Sequence, residues 1–375
     1  MAIAGLARTY DQSTVIREDF ENIIASISPE ETPLFAILDR EQVFNDVHYW
    51  TEDQLRPMTS TLAAAMVGTV GAVKVYVQDT HGPERFPVAA TKPILLRVDE
   101  EIILATARTT DCLTVTRDYN SSGTAAHASG ATVEIIADVG LEGADARSAH
   151  SQSRSKPYNY TQVFEKTLQV SGTMQAVLAA GITSSEAEYQ AQQRLKEIKI
   201  ELERSLIMGT RVVGSSSTYR SMGGLWHFIS TNKTNASSAA ISEANIEDDA
   251  KKCYDAGGNP NILLCNSTQA QKITNMYGSR VRTDPEGILG GLQISRIKLP
   301  IAGSGELAIL VNRWVPQHEY YILDGTKIKI GYLRQFFMED LAKTGDSTKR
   351  QVIGEYTIIV YNEKAHARRY GLLTT

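Results

Sequence analysis

The most regular pattern of apolar and polar residues along the chain runs from Thr183 to Gly209. Its apolar positions recur at intervals of three and four and form one narrow stripe, made of Leu195, Ile198, Leu202 and Leu206. The stripe is flanked by charged residues, namely Lys196, Lys199, Glu201 and Glu203. Thr183 and Ser185 each precede a glutamate by three residues, as in a capping box, and Gly209 can end a helix in a left-handed conformation. The pattern predicts a long amphipathic helix that lies across a sheet or along another subunit rather than inside a core.

Strand-like alternation precedes this helix. Residues 43–50 and 160–170 alternate with period two, and every face of the two strands mixes apolar with polar residues. One face of the second strand, for example, combines Phe164, Leu168 and Val170 with Lys166. We therefore expect none of these faces to be fully buried, and the two strands together predict an extended hairpin that projects from a body.

Between these strands, residues 59–138 have a different composition. Short β-rich runs such as PILLRV, EIILATA and ATVEII are separated by turn clusters such as THGP and NSSG. Short strands at this spacing predict a small β-barrel or sandwich. The flanks, 62–73 and 140–156, are rich in small and polar residues and are predicted to act as joints.

The part of the chain that follows the long helix predicts a mixed α/β unit. Ser242 is a cap residue for a helix that carries Ile246, Ala250 and Cys253 on one face, and Gly257 follows this helix. The apolar run 261–265 then precedes a second helix, for which Ser267 and Thr268 are the candidate caps and which carries Ala270, Ile273 and Tyr277. From Leu292 onward most of the chain alternates as strands.

The first 42 residues combine short apolar clusters with helix-breaking Ser28-Pro29 and Thr32-Pro33 steps. Two interpretations fit them equally: an arm that lies along a neighbouring surface, or an irregular N-terminus. Residues 1–60 hold eleven Asp and Glu against four Arg. The C-terminal end carries Lys364, Arg368 and Arg369, which could face nucleic acid or, more commonly, pair with acids such as those of the N-terminal arm.

Composition narrows the function classes. The chain is 42% hydrophobic and 22% charged, as in soluble globular proteins, and its net charge of −5 argues against a general nucleic-acid binder. It shows neither a membrane-spanning apolar run nor a signal peptide. The three cysteines, Cys112, Cys253 and Cys265, lack CxxC spacing and are predicted to be buried thiols in a reducing compartment.

No motif in the chain carries a convincing catalytic, cofactor or metal site. Gly303, Gly305 and Ala308 match a dinucleotide fingerprint, but the alternating residues after them predict a hairpin turn instead of the required helix. Asp99, Glu100 and Glu101 are interpreted as a solvated turn, because neighbouring residues of a strand point to opposite faces. The seven histidines are scattered, without metal-ligand spacing or a nucleophile elbow.

Several phrases resemble one family, the major capsid proteins of tailed bacteriophages. They include SPEETPLFAIL, YWTEDQL, EGADA, NYTQVFEKTLQVSGT and EYQAQQRLKEIKIELERSLIMG, followed by GGLWHFI, NILLCNSTQAQKI, LVNRWVPQHEYYILD and LAKTGDS…GEYT. The resemblance covers nearly the whole chain in order, apart from residues 59–138. That insertion, through TVTRDYNSSGTAAHASGATV, resembles a β-module found in other phage structural proteins.

The resemblance implies an α+β protein with the Hong Kong ninety-seven capsid fold. Its expected parts are an N-terminal arm (1–42), an extended loop (43–58 and 139–170), an inserted small β-barrel (59–138), a peripheral domain with a long spine helix (171–213 and 315–375) and an axial domain (214–314).

It also implies the function of a major capsid protein. Such a subunit assembles with itself into hexamers and pentamers in the cytoplasm of the host bacterium and builds the icosahedral shell of the virion. Expected partners are neighbouring capsomers, the portal, scaffold or decoration proteins, and packaged double-stranded DNA bound without sequence specificity; no membrane and no cofactor are expected. The alternative is an enzyme or a carbohydrate-binding protein whose active unit is the inserted module.

Overall fold

The computed structural model describes residues 32–55, 58–68, 72–78, 86, 88, 92–109, 112–119, 122–143, 145–146, 154–177, 185–278, 281–289, 292–299, 305–343 and 345–374. The chain divides into two compact units. The first, here called the body, comprises Met1–Trp50 and Pro157–Thr375, and the second, called the insert, comprises Thr51–Lys156. The insert is therefore wider than the predicted range 59–138.

Six α-helices are described, all in the body: α1 (Pro33–Ile37), α2 (Gly172–Ala176), α3 (Glu186–Met208), α4 (Leu225–Phe228), α5 (Glu243–Asp255) and α6 (Ser267–Tyr277). The strands of the described chain are β1 (Asp39–Gln42), β2 (Val47–Tyr49), β3 (Thr59–Leu62), β4 (Ala72–Val75), β5 (Val77–Gln78), β6 (Ile94–Val98), β7 (Glu101–Arg108), β8 (Leu113–Thr116), β9 (Thr132–Asp138), β10 (Tyr158–Tyr160), β11 (Gln162–Ser171), β12 (Lys233–Asn235), β13 (Ile262–Cys265), β14 (Val281–Leu289), β15 (Leu292–Lys298), β16 (Glu306–Val311), β17 (Tyr320–Leu323), β18 (Ile328–Asp340), β19 (Ser347–Val360) and β20 (Ala367–Tyr370). Among the described residues, no helix is both long and apolar enough to cross a bilayer.

Helix α3 is the predicted long helix. Its N-cap is Ser185, whose side-chain oxygen accepts a hydrogen bond from the Glu188 amide at 3.3 Å; Thr183 lies outside the described residues. The left-handed stop predicted at Gly209 is wrong, because this residue has φ −58°. A Cβ there would lie 2.7 Å from the carbonyl oxygen of Met222, so glycine is needed for close backbone approach instead.

A four-stranded sheet in the order β1-β18-β19-β11 lies against α3. The predicted stripe packs here: Ile198, Leu202 and Leu206 are fully buried in a core that includes Phe164 of β11. Strand β11 pairs antiparallel with β19 over its whole length, from Gln162↔Tyr356 to Ser171↔Ser347. Strand β19 is therefore a long partner of β11 that the predicted hairpin between 43–50 and 160–170 did not include.

The two predicted hairpin strands are also paired, since β2 pairs with β10 from Val47↔Tyr160 to Tyr49↔Tyr158 and the Thr161 amide donates to the Asp46 carbonyl oxygen at 2.9 Å. No face was expected to be fully buried, and Lys166 keeps this true for β11, although Phe164, Leu168 and Val170 on the same face are buried beneath α3. The predicted alternation of β11 is confirmed. Lys166, the polar residue on the face that packs against α3, is half-buried and pairs with Glu201 at 2.6 Å.

Residues 33–42 belong to the body rather than to an extended arm. Leu34 and Phe35 of α1 are buried in the α3 core, and β1 pairs parallel with β18. The part of the predicted arm at 1–31 lies outside the described residues.

The second sheet of the body has seven strands in the order β12-β20-β17-β13-β16-β15-β14. The predicted α/β unit is confirmed here: Ser242 caps α5, β13 is fully buried, and α5 and α6 bury their predicted faces. The cap of α6, however, is Asn266 instead of Ser267 or Thr268. Strands β15 and β16 pair as a hairpin, as predicted, with Lys298 opposite Glu306 and Gly305 at φ +73°, while residues 300–304 of the turn lie outside the described residues.

The insert contains a seven-stranded antiparallel sheet in the order β4-β8-β7-β6-β9-β3-β5. The two edge strands, β4 and β5, are separated in sequence only by Tyr76. The two edges of the sheet must therefore lie close together, which means that the sheet curls around its core. The predicted joint at 62–73 is wrong at its start, because Leu62 and Met66 are buried in that core. The assignment as an inserted β-barrel domain stays a prediction.

Candidate assembly surface

An apolar surface runs beside the N-terminal half of α3 at the outer part of the β18–β19 hairpin. Phe337, Met338 and Leu341 are 42%, 48% and 37% exposed. A groove of about 300 Å³ separates this hairpin from α3 and is lined by Glu188, Ala191, Gln192, Leu195, Phe336, Phe337, Met338 and Val352. Exposed apolar side chains grouped near one groove favour an interaction site. We call this region the hairpin surface.

The position of the hairpin surface is fixed by packing beneath it. Phe336 packs on Tyr356 of β19 with ring centroids 4.6 Å apart, and its amide donates to the Tyr356 hydroxyl oxygen at 3.1 Å. Phe337 follows Phe336 along the strand and is exposed. The hairpin surface is therefore held in position by the fold.

The opposite flank of α3 faces strand β11. Within the described sheet, β11 is an outer strand, and two grooves of about 670 and 390 Å³ run between it and α3. Their linings are more polar and include Gln190, Arg194, Glu201 and Arg204. An outer strand with one unpaired edge can accept an extended segment through main-chain hydrogen bonds.

Of the basic residues at the C-terminal end, Lys364 is exposed, whereas the two arginines do not form an exposed nucleic-acid surface. Arg368 and Arg369 are buried on opposite faces of β20, and each binds one carboxylate with two nitrogens. Arg368 pairs with Glu319, and Arg369 pairs with Asp249 of α5. The predicted pairing with acids is therefore right in kind, but the acids belong to the body and not to the N-terminal arm.

The acidic trio at 99–101 is not a solvated turn throughout. Glu100 is exposed, whereas Glu101 is buried and forms a two-nitrogen ion pair with the buried Arg117. His127 joins the cluster through both ring nitrogens, with Nδ1 2.6 Å from Asp99 and Nε2 2.9 Å from Glu101. We call these four residues, Asp99, Glu101, Arg117 and His127, the insert cluster.

The electrostatics of the insert cluster favour an ionised Glu101. Burial alone would raise the pKa of this carboxyl, but hydrogen bonds from Arg117, His127 and the Ala125 amide, with the Arg117 charge, lower it to about 2. Because both nitrogens of His127 face carboxylates, the ring is not free to bind a metal or to activate a nucleophile. Within the described parts of the chain, no group of three or more His, Cys, Asp or Glu is placed to hold a metal ion.

Glu203 is a further charged residue whose environment differs from the prediction. It was assigned to the charged flanks of α3, yet it is fully buried. Burial raises its pKa to about 7, partly offset by hydrogen bonds from the Leu34 and Phe35 amides and from Asn312. The partners of Glu203 lie more than one hundred residues away in sequence, so no local pattern could have identified them.

The thiols are buried as predicted. Cys112, Cys253 and Cys265 are buried and unpaired, and burial raises the pKa of both Cys253 and Cys265 to about 12.

The sequence as a whole matches one family. The family model for the SU10 major capsid protein matches residues 5–372. The chain belongs to the SU10 major capsid protein family. No curated protein matches the sequence.

Solved structures with a similar fold include an encapsulin complex, a phage protein and a particle capsid. They include the holo-SrpI encapsulin complex from Synechococcus elongatus PCC 7942, at 10% identity and TM-score 0.52, covering 99% of this chain and 97% of that one. Mycobacterium phage Adephagia gives 13% identity and TM-score 0.51, with 98% of each chain covered. The capsid of an empty GTA particle gives 10% identity and TM-score 0.50, covering 98% of this chain and 99% of that one. These likenesses concern the fold, and they confirm the predicted α+β capsid fold of the Hong Kong ninety-seven type.

Membership in the SU10 family settles the class of function. This major capsid protein is a structural subunit that assembles with itself into the shell of a phage virion, and it is not an enzyme. The alternative, in which the insert is the active unit of an enzyme or a carbohydrate-binding protein, receives no support.

Proposed function

We propose that this capsid protein forms hexameric and pentameric capsomers that close into an icosahedral shell around packaged double-stranded DNA. The hairpin surface is the observation that carries this proposal, because it is apolar, exposed and fixed in place, and its occupant is a second copy of the chain. Portal, scaffold or decoration proteins are the further expected partners. Contact with DNA is without sequence specificity.

Replacing Phe337 with aspartate should prevent shell assembly while leaving the body folded. The side chain is 42% exposed, so the fold loses little, but a charge would have to be desolvated in the contact between copies. Electron microscopy of purified protein, with tryptophan fluorescence as the folding check, measures both effects. Phe337→Leu is the matched control and should assemble normally. Normal shells from Phe337→Asp would show that this surface is not a contact between copies.

We further propose that the insert stands on the outer surface of the shell. It is near neutral in charge, whereas a surface that faces DNA is expected to be more basic. Its two ends are adjacent, since Glu52 and Ser155 exchange backbone hydrogen bonds of 3.0 and 2.9 Å. A unit with adjacent ends can be carried by the body without disturbing it. On the outside, the insert can bridge adjacent capsomers as a decoration protein does.

Replacing residues 51–156 with a short Gly-Ser linker should therefore still give capsomers, but shells that open at a lower temperature. The adjacent ends allow the linker to close without straining β2 and β10. Thermal denaturation of purified shells, followed by light scattering, measures the difference from the wild type. Shells of unchanged heat stability would contradict the bridging role of the insert while leaving the capsid function intact.

A further inference from the structure

Two cations share two aromatic rings at the β12 edge of the seven-stranded sheet. The Lys233 amine lies 5.8 Å from the centroid of the Trp226 ring and 5.1 Å from that of the Tyr370 ring. The Arg368 guanidinium carbon lies 5.2 and 5.3 Å from the same two centroids. These are the distances of cation–π contacts, so the rings help to hold both cations in place.

Among the described residues, Arg368 has a carboxylate partner and Lys233 has none. Arg368 is buried and binds both oxygens of Glu319, and Lys233 is exposed. The two cations are direct partners in the parallel pairing of β12 with β20, and like charges placed opposite each other destabilise a sheet. The fold therefore keeps an unneutralised positive charge at this edge although the charge is unfavourable for folding.

Lys364 adds a second cation beside this site. The side-chain amide of Asn232, the residue before Lys233, donates to the Lys364 carbonyl oxygen at 2.6 Å, and Lys364 is exposed. No carboxylate of the described chain pairs with Lys364. The adjacent acid, Glu363, instead accepts two backbone amides of the segment 230–231, at 3.2 and 3.3 Å. Both lysines of this edge are therefore open to an external anion.

We propose that Lys233 and Lys364 bind phosphate groups of packaged duplex DNA without sequence specificity. The charge of the two lysines is complementary to a phosphate backbone, whose closely spaced negative charges can neutralise both amines at once. Lysine is depleted from the centres of protein–protein interfaces, which favours DNA over an acidic segment of a protein partner. The inference rests on the proposed packaging of DNA in the shell, and it names the residues that face the DNA.

The test compares Lys233→Gln with Lys251→Gln in purified capsomers. Lys251 is the matched control, because it is an exposed lysine of α5, the helix that covers the opposite face of β20 through the Arg369–Asp249 ion pair. Binding of a short fluorescent DNA duplex is measured by anisotropy over a range of salt concentrations. At low salt we expect Lys233→Gln to bind about fivefold more weakly, with a slope of log affinity against log salt that is smaller by about 0.9, as for one lost phosphate contact.

Lys251→Gln should bind the duplex like the wild type, and adding Lys364→Gln to Lys233→Gln should reduce the slope by about 0.9 again. Tryptophan fluorescence checks that each variant is folded. Equal affinities of the wild type and Lys233→Gln, or no binding of the duplex by the wild type at low salt, would overturn the proposal. Tighter binding of polyglutamate than of the duplex would also overturn it, because the site would then recognise protein carboxylates.

Closed empty shells show which side of the shell carries the site. Added duplex should not reach Lys233 in them, and Lys233-dependent binding to closed shells would contradict contact with packaged DNA. Electron microscopy gives the proposed function a separate readout, since the wild type and Lys233→Gln should both form shells. Absence of wild-type shells would contradict the proposed function, whereas normal shells with DNA binding that does not depend on Lys233 would contradict this inference alone.

Discussion

Replacement of Glu101 by alanine is expected to lower the free energy of unfolding of the insert by about 3–5 kcal/mol, because the buried Arg117 then lacks a counter-charge. Arg117 also donates to the carbonyl oxygens of Val67 and Ala125, so it cannot leave without breaking those hydrogen bonds. His127 loses its Nε2 partner at the same time. Since single domains are stable by about 5–15 kcal/mol, a large part of the insert's stability depends on this one carboxylate.

Glu100→Ala is the control for Glu101→Ala. Glu100 is the preceding residue, is 94% exposed and pairs with the partly exposed Arg97, so its removal should change stability by less than about 1 kcal/mol. All three tryptophans, Trp50, Trp226 and Trp314, lie in the body, so tryptophan fluorescence reports the body alone. We expect urea denaturation to shift in circular dichroism and in hydrogen exchange of β6 and β7, with the fluorescence transition unchanged. Equal shifts for the two alanine variants would refute a supporting role for the insert cluster.

The second large effect is a pH dependence of the body that Glu203 should cause. Its pKa is raised from 4.5 to about 7, so the folded body binds a proton that the unfolded chain releases in this range. The stability from this group is therefore fully present below pH 4.5 and is lost as the pH rises through 7. A raised pKa of this size corresponds to about 3 kcal/mol between the two limits.

The measurement is urea unfolding followed by tryptophan fluorescence at pH 4.5 and at pH 8, for the wild type and for Glu203→Gln. Glutamine does not titrate, so any pH dependence of the stability difference between the two proteins comes from the Glu203 proton. Relative to Glu203→Gln, the wild type should be about 3 kcal/mol more stable at pH 4.5 than at pH 8. Glu101 acts in the opposite direction and in another range, because its lowered pKa stabilises the insert above pH 4.5 and is titrated only toward pH 2. Parallel pH profiles for the wild type and Glu203→Gln would show that the Glu203 carboxyl stays ionised throughout.

Local patterns predicted the elements of this fold well. The period of the apolar residues and the cap at Ser185 identified α3, and alternation identified most strands of both units. Local patterns failed where a distant contact decides the environment. The alternation of β11 was visible, but its partner β19 lies almost two hundred residues away, so the sequence could not reveal which face is covered.

The charged residues show more clearly that local sequence does not predict burial. Glu101 and Glu203 look like ordinary surface acids, because nothing near them in sequence indicates burial. Each is buried only because the fold brings a donor to it: Arg117, at the end of the neighbouring strand β8, for Glu101, and the start of α1 for Glu203. A sequence pattern records the apolar residues that drive folding, whereas a buried charge depends on a partner that only the tertiary structure supplies.

The burial of the thiols bears on the life of the particle after it leaves the host. Reactivity of cysteine toward oxidants requires the thiolate and access to it. Cys253 and Cys265 have pKa values near 12 and are fully buried, and Cys112 is also buried. A subunit made in a reducing cell can therefore enter aerated surroundings without forming sulfur links between neighbours. The shell can therefore persist between one host and the next with its cysteines still present as thiols.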